Sequence, residues 1–121
     1  MTLSGEVLDE VTSNLAAIQA RHYGRGPEGG KAYLCDDVLV CVLRGGLLQV
    51  EQYMLSKDRE KFVREVRLAW QDEIGEMMMS SVERITGYRV TDYHSQVLLK
   101  AELAIEMFVL APGDGSASEA G

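Results

Sequence analysis

The sequence predicts an α+β fold: a helix, a β-hairpin, two helices of which the second is long, and another β-hairpin. The result is a four-stranded, mainly antiparallel sheet packed on helices. Three observations carry this reading. Apolar residues recur at steps of three and four from Val7 to Ile18 and again from Phe62 to Ile85, the period of a helix face. The stretches from Lys31 to Arg44 and from Tyr88 to Leu110 alternate or run apolar over strand lengths. Hairpins and helices are segregated along the chain, which favours an antiparallel sheet with helices laid on it. The 121 residues fit a single domain, read as 1–110. Residues 111–121 are Ala, Gly, Ser and acid after one Pro and read as a disordered tail.

The first helix runs from about Gly5 to Tyr23, with Ser4 as its N-cap and Gly24 ending it. Gly24-Arg25-Gly26-Pro27-Glu28-Gly29-Gly30 is then a loop with demanding backbone angles. A strand from Lys31 to Cys35 turns at Asp36-Asp37 into a second strand, Val38 to Arg44. A two-residue turn puts Cys35 on the side of Val38, Val40 and Val42, and Cys41 on the side of Leu39 and Leu43. The cysteines therefore point apart and cannot bridge within the chain. The second strand is apolar on both faces, so it is expected to be central and covered on both sides.

Gly45-Gly46 breaks that strand, and a short helix follows from about Leu47 to Ser56. The long helix is read from Asp58 to Thr86 with Gly87 as its stop, and its inward stripe as Phe62, Val66, Ala69, Trp70, Ile74, Met77, Met78, Val82 and Ile85. At about 29 residues it spans about 43 Å, against a diameter of about 35 Å for a globule of this size. Either it bends at Gly75 or it overhangs and calls for a partner surface. Strands from Tyr88 to Leu99 and from Glu102 to Leu110 close the domain. One sheet face takes the long helix, and the other takes the first helix or a second subunit.

Composition excludes some functions. A formal net charge of −7 and a pI of about 4.8 oppose nucleic-acid binding, which draws on cationic neutralisation of phosphates. No apolar run approaches the roughly 20 residues needed to span a bilayer, so direct membrane insertion is not expected. The N-terminus lacks a basic and then apolar leader, and two cysteines are too few for a disulfide framework. Cytoplasmic residence is the natural expectation.

Residues 24–29 match G-x-G-x-x-G literally, but a helix precedes and a strand follows, the reverse of a dinucleotide site. Gly26 to Gly29 also match the G-x-x-G of KH domains, where Pro27 lacks an N–H and Glu28 repels phosphate. The loop reads first as a structural connector. Arg25, a cation in a rigid setting with Gly26 and Pro27, keeps a carboxylate- or phosphate-binding role in play. Asp36, Asp37, Asp92 and His94 could in principle gather at a metal, but no metal-ligand spacing is present, and neither metal nor cofactor is expected. His94-Ser95 near Asp92 is not a triad, since successive strand residues face opposite ways. Met77, Met78 and Met79, with Trp70, are candidates for an adaptable interface.

The G-R-G-P-E loop at 24–28, the Asp36-Asp37 hairpin running into an apolar strand, and His94-Ser95 ahead of the last strand together resemble the MpsC family, a small bacterial family. The resemblance covers about Val7 to Leu110. It implies association with a cation-translocating, membrane-potential-generating system that also supports inorganic-carbon supply. A chain without a spanning segment would serve such a system as an accessory or regulatory component. The resemblance implies no catalytic residues, so Arg25, Asp37 and His94 stand as candidates only.

Three readings compete. The first is a non-enzymatic, homodimeric interaction protein with a membrane or regulatory partner. The second is a small-ligand or anion sensor built on Gly24–Gly30. The third is an enzyme of unrecognised type. Arg25 sharing a concave pocket with His94 or Asp92 would favour the second or third, and an apolar face along the long helix would favour the first.

Overall fold

Ser4 caps the first helix through its hydroxyl, which accepts from the Val7 amide at 3.2 Å. In the computed structural model, which describes residues 1–113, the order is α1 (Gly5–Tyr23), β1 (Gly29–Cys35), β2 (Val38–Arg44), α2 (Gln49–Ser56), α3 (Glu60–Thr86), β3 (Arg89–Leu98) and β4 (Leu103–Ala111). Every element expected from the sequence is present. Ala111, read as the first residue of the tail, instead closes β4; the tail reading from residue 114 on lies outside the described residues. Left-handed glycines, Gly24 at φ 102 and Gly87 at φ 77, end α1 and α3.

The strands form one antiparallel sheet in the order β1-β2-β4-β3. Asp36 takes the left-handed conformation the first hairpin requires, at φ 56. The second hairpin turns through Leu99 to Glu102, with Glu102 at φ 52 and its amide bonded to the Leu99 carbonyl. Strand alternation gives the sheet two unlike faces. Leu39, Cys41 and Leu43 of β2 share one face with Ala104, Glu106, Phe108 and Leu110 of β4, all buried. Val11 and Leu15 of α1 and Ile74, Met78 and Val82 of α3 pack on it. A smaller cluster of Leu47, Val63, Val97 and Leu99 seats α2 at one end.

Both long helices thus lie side by side on the same face, which corrects the expectation that the first helix covers the other face. The described residues lay no helix on the other face. There the register builds a grid, from one end to the other: Arg44, Leu103 and Leu98; Lys31, Val42, Ile105 and Gln96; Tyr33, Val40, Met107 and His94; Cys35, Val38, Val109 and Asp92. Its two central columns are apolar but for Arg44.

Helix α3 is continuous across Gly75 and, at 27 residues, about 40 Å long. Gly75 is buried, and a Cβ there would sit 3.1 Å from the Tyr93 ring. The glycine serves a close helix–sheet approach rather than a bend. The expected stripe is correct at Ile74, Met78 and Val82, with Trp70 and Ile85 partly buried against the core, and wrong at Ala69, Met77 and toward the N-terminus. Val63, Arg67 and Gln71 face inward, whereas Phe62 and Val66 are 52% and 42% exposed. An apolar periodicity cannot see a face completed by an arginine and a glutamine whose partners lie elsewhere in the chain.

Candidate functional site

The glycine-rich loop is tied inward. Arg25 donates from one guanidinium nitrogen to the Leu47 carbonyl at 3.0 Å and from another to Glu28 at 3.1 Å. The Gln19 amide donates to the Arg25 carbonyl at 3.3 Å. A Cβ on Gly26 would meet Ala20 Cβ at 3.0 Å and the Ala16 carbonyl at 3.2 Å, so the loop is pressed onto α1. Gly46 holds φ +87, where a Cβ would also lie 2.7 Å from Gln19. These contacts make residues 24–30 the clamp between α1 and the β2–α2 connection.

Beneath that clamp lies a charged pair. Arg67 on α3 grips Glu51 on α2 in a two-pronged contact, Nε to one carboxylate oxygen and Nη2 to the other, both at 2.9 Å. The same Nη2 donates to the Gly46 carbonyl at 2.8 Å, and the guanidinium lies 4.5 Å from the centre of the Tyr23 ring. The Tyr23 hydroxyl donates to Glu51, and Glu51 accepts from the Leu48 amide at 2.8 Å. That last bond helps start α2, where the Leu48 side chain has no acceptor to offer. Both charged side chains are buried, 4% and 7% exposed. Burial alone would raise the Glu51 carboxyl; the Arg67, Tyr23 and Leu48 hydrogen bonds outweigh it and hold it below the usual carboxylate range. Burial and the neighbouring Glu51 carboxylate push the Tyr23 phenol well up, so it stays a donor.

Over this pair opens an apolar groove of about 190 Å³ between α2 and α3, lined by Tyr23, Leu48, Val50, Met54, Phe62, Val63 and Val66, with Glu51 in its wall. Of these, Val50 is 61% exposed, and Tyr53, also on α2, is exposed to the same degree. Exposed apolar side chains gathered on two adjoining helices, above a rigid polar anchor, have the makings of a protein-binding surface.

A second polar node sits one helical turn along α3. Glu106 of β4 is fully buried. Tyr93 donates to one of its oxygens; Gln71 Nε2 lies 3.1 Å and Ser95 Oγ 2.8 Å from the other. Ser95 also bonds Gln71 Oε1. The single hydroxyl hydrogen of Ser95 serves only one partner. With it on Gln71, the Ser95–Glu106 contact takes its hydrogen from a protonated Glu106. Burial indeed pushes the Glu106 carboxyl up, and its bonds to Tyr93 and Ser95 and the nearby His94 do not reverse that. Burial and the adjacent Glu106 raise the Tyr93 phenol as well. A cavity of about 240 Å³ at the sheet edge, lined by Leu68, Gln71, Asp72, Tyr93, His94 and Ser95, lies alongside. Tyr93, Gln71, Ser95 and Glu106 satisfy one another's polar groups, so the node reads as a satisfied polar core.

The sequence candidates are scattered. Asp37 is an exposed turn residue whose carbonyl accepts from the Leu110 amide. His94 is exposed, its ring 3.4 Å from Gln96. Neither joins Arg25, and Arg25 pairs with Glu28 rather than Asp37 or Asp92. Of the interface candidates, Met78 is fully buried in the core and Trp70 and Met79 are partly buried against it, leaving Met77 exposed at 45%. Among the described residues no three His, Cys, Asp or Glu side chains gather as a metal site, and no helix is long and apolar enough to cross a membrane. The two polar nodes escaped the sequence reading. Their one signal was Glu106 in the strand phase of Phe108 and Leu110.

In comparison with known families, the model of the family described as "Na+-translocating membrane potential-generating system (MpsC)" matches residues 4–112. No curated protein and no solved structure matches.

Proposed function

The chain belongs to the MpsC family of the Na+-translocating membrane potential-generating system, and on that premise we propose that it is a non-enzymatic accessory protein of such a system, cytoplasmic and homodimeric, that docks a membrane-embedded partner. The observation that carries this reading is the apolar groove between α2 and α3, where Phe62, Val66 and Val50 are exposed over the buried Arg67–Glu51 pair. A groove of this kind accepts the apolar side chains of an amphipathic helix. The rigid floor limits the ordering cost on binding. An anion-sensing role for Gly24–Gly30 has less support, because Arg25 is engaged with Leu47 and Glu28 and Gly26 is pressed against α1.

Affinity capture from detergent-solubilised membranes of the native cell, read by mass spectrometry, tests the proposal. Wild type should recover the membrane subunits of the cation-translocating system. The Phe62→Glu/Val66→Glu variant, with unchanged circular dichroism, should lose them. Equal recovery by both, or no membrane subunit with wild type, overturns it.

A further inference from the structure

We propose that the helix-free face of the sheet is the surface on which a second copy of this chain packs, face to face, about a two-fold axis along the diagonal from Cys35 to Leu98. This rests on the homodimer in the reading above and specifies where it forms.

An antiparallel sheet with one solvated face alternates apolar inward and polar outward. Strands β2 and β4 do not. Their outward residues, among them Val38, Val40, Val42, Ile105 and Met107, are as apolar as their inward ones, and no helix of the described residues lies on this face. Four strands about 4.8 Å apart, with four outward rows about 6.8 Å apart, span roughly 19 by 27 Å, or about 500 Å² of flat face. Patches of that order mark association sites, and with its corrugation and rim this one approaches the roughly 800 Å² per partner of a stable complex.

The charges on the rim select a second copy. Exposed Lys31 and Arg44 occupy one corner of the grid; exposed Asp92 occupies the diagonally opposite corner, with exposed Arg89, opposite Ala111, one step beyond it on β3. A two-fold axis in the interface along the other diagonal lays the cationic corner of each copy over Asp92 of its mate. The strands then cross steeply, as in orthogonally packed sheets. The patch is thereby self-complementary, which a two-fold interface requires. An apolar centre with a charged rim is also the usual anatomy of an interface.

Sedimentation at micromolar concentration, with circular dichroism as the check on folding, tests the surface. Wild type should be dimeric, and Val40→Lys and Met107→Lys monomeric and folded. A charge exchange then tests the geometry. Asp92→Lys alone and Lys31→Glu/Arg44→Glu alone should each weaken self-association roughly tenfold or more, because each places like charges together. An equimolar mixture of the two should form a heterodimer of near wild-type affinity, since both of its corners pair opposite charges. A dimer that persists in Val40→Lys and Met107→Lys overturns the assignment of the face and leaves the homodimer standing on another surface. A mixture that associates no better than its components overturns the diagonal axis. A wild type of 13.4 kDa in solution overturns both the inference and the dimer beneath it.

Discussion

Replacing Arg67 with methionine is the sharpest test of how α2 is held to α3. The substitution keeps most of the aliphatic volume and removes three N–H···O bonds of 2.8 to 2.9 Å, two to Glu51 and one to the Gly46 carbonyl. It leaves a carboxylate that is 7% exposed with only the Tyr23 hydroxyl and the Leu48 amide. Breaking one side of a buried ion pair costs about 3–5 kcal/mol, a fifth or more of the roughly 5–15 kcal/mol that holds such a domain folded. At about 4 °C per kcal/mol for a chain of this size, Tm should fall by about 12–20 °C. Acidity supplies a second signature. In wild type the Glu51 carboxyl is held below its unfolded value. Its contribution is therefore complete above the unfolded pKa of about 4.3 and is lost only as pH falls through the lower folded value. Without Arg67, burial dominates and the folded pKa rises above the unfolded one, so the variant gains relative to wild type as pH drops from 7 toward 5. Adding Glu51→Gln should recover a good part of the loss at pH 7, because the orphaned charge is gone. Urea and thermal unfolding at both pH values measure all of this. A deficit below about 1 kcal/mol, or one indifferent to pH and to Glu51→Gln, would refute the reasoning.

Glu106→Gln mimics the neutral acid. Since the wild-type carboxyl is raised on folding, wild type loses stability as pH climbs from about 4.3 through the folded value, and the variant should gain on it between pH 5 and pH 8. A difference constant across that range sinks the protonated assignment. Gly75→Ala sets a helix-propensity gain of about 1 kcal/mol against a contact at 3.1 Å with Tyr93. That ring is held by its bond to Glu106 and stacks on Phe108 at 5.0 Å, so the variant should be destabilised; a higher Tm would show that the ring yields. Arg25→Ala should cost about 1 kcal/mol, since its pair with Glu28 is solvent-exposed and its bond to the Leu47 carbonyl is the lesser part buried. A loss above about 3 kcal/mol in urea unfolding contradicts that. With its thiol raised to about 11 by burial, Cys41 should resist alkylation at pH 8 until the protein unfolds, whereas Cys35, exposed on the single chain, reacts at once in the monomeric Val40→Lys variant. Two fast equivalents would contradict the burial of Cys41.

Local rules carried the fold a long way. Ser4, Gly24 and Gly87 mark helix ends through requirements of one or two residues, and the Val38–Arg44 run announced a central strand before any partner was known. Two things were hidden. That α1 shares a face with α3 depends on how the Gly24–Gly30 loop delivers the chain to β1, which no periodicity encodes. That Arg67 and Gln71 face inward depends on Glu51 and Glu106, distant in sequence, and such partners become visible only when the chain is folded. The candidates drawn from loop chemistry fared worse for the same reason. Arg25 was marked by its setting, yet its groups are taken up by Leu47 and Glu28, and nothing in the sequence says which acceptor is near.

Arg67 and Gln71 stand four residues apart on α3, so one turn of a single helix bears both buried acids, Glu51 from α2 and Glu106 from β4. A helix held by apolar contacts alone can creep, because one leucine will sit where another sat. This one is keyed. Turning it by a residue or sliding it along its axis would strip both acids of their α3 partners at once. The sheet and the short helix are thereby fixed in one mutual register, and α3 behaves as a shaft with two splines rather than as a roller.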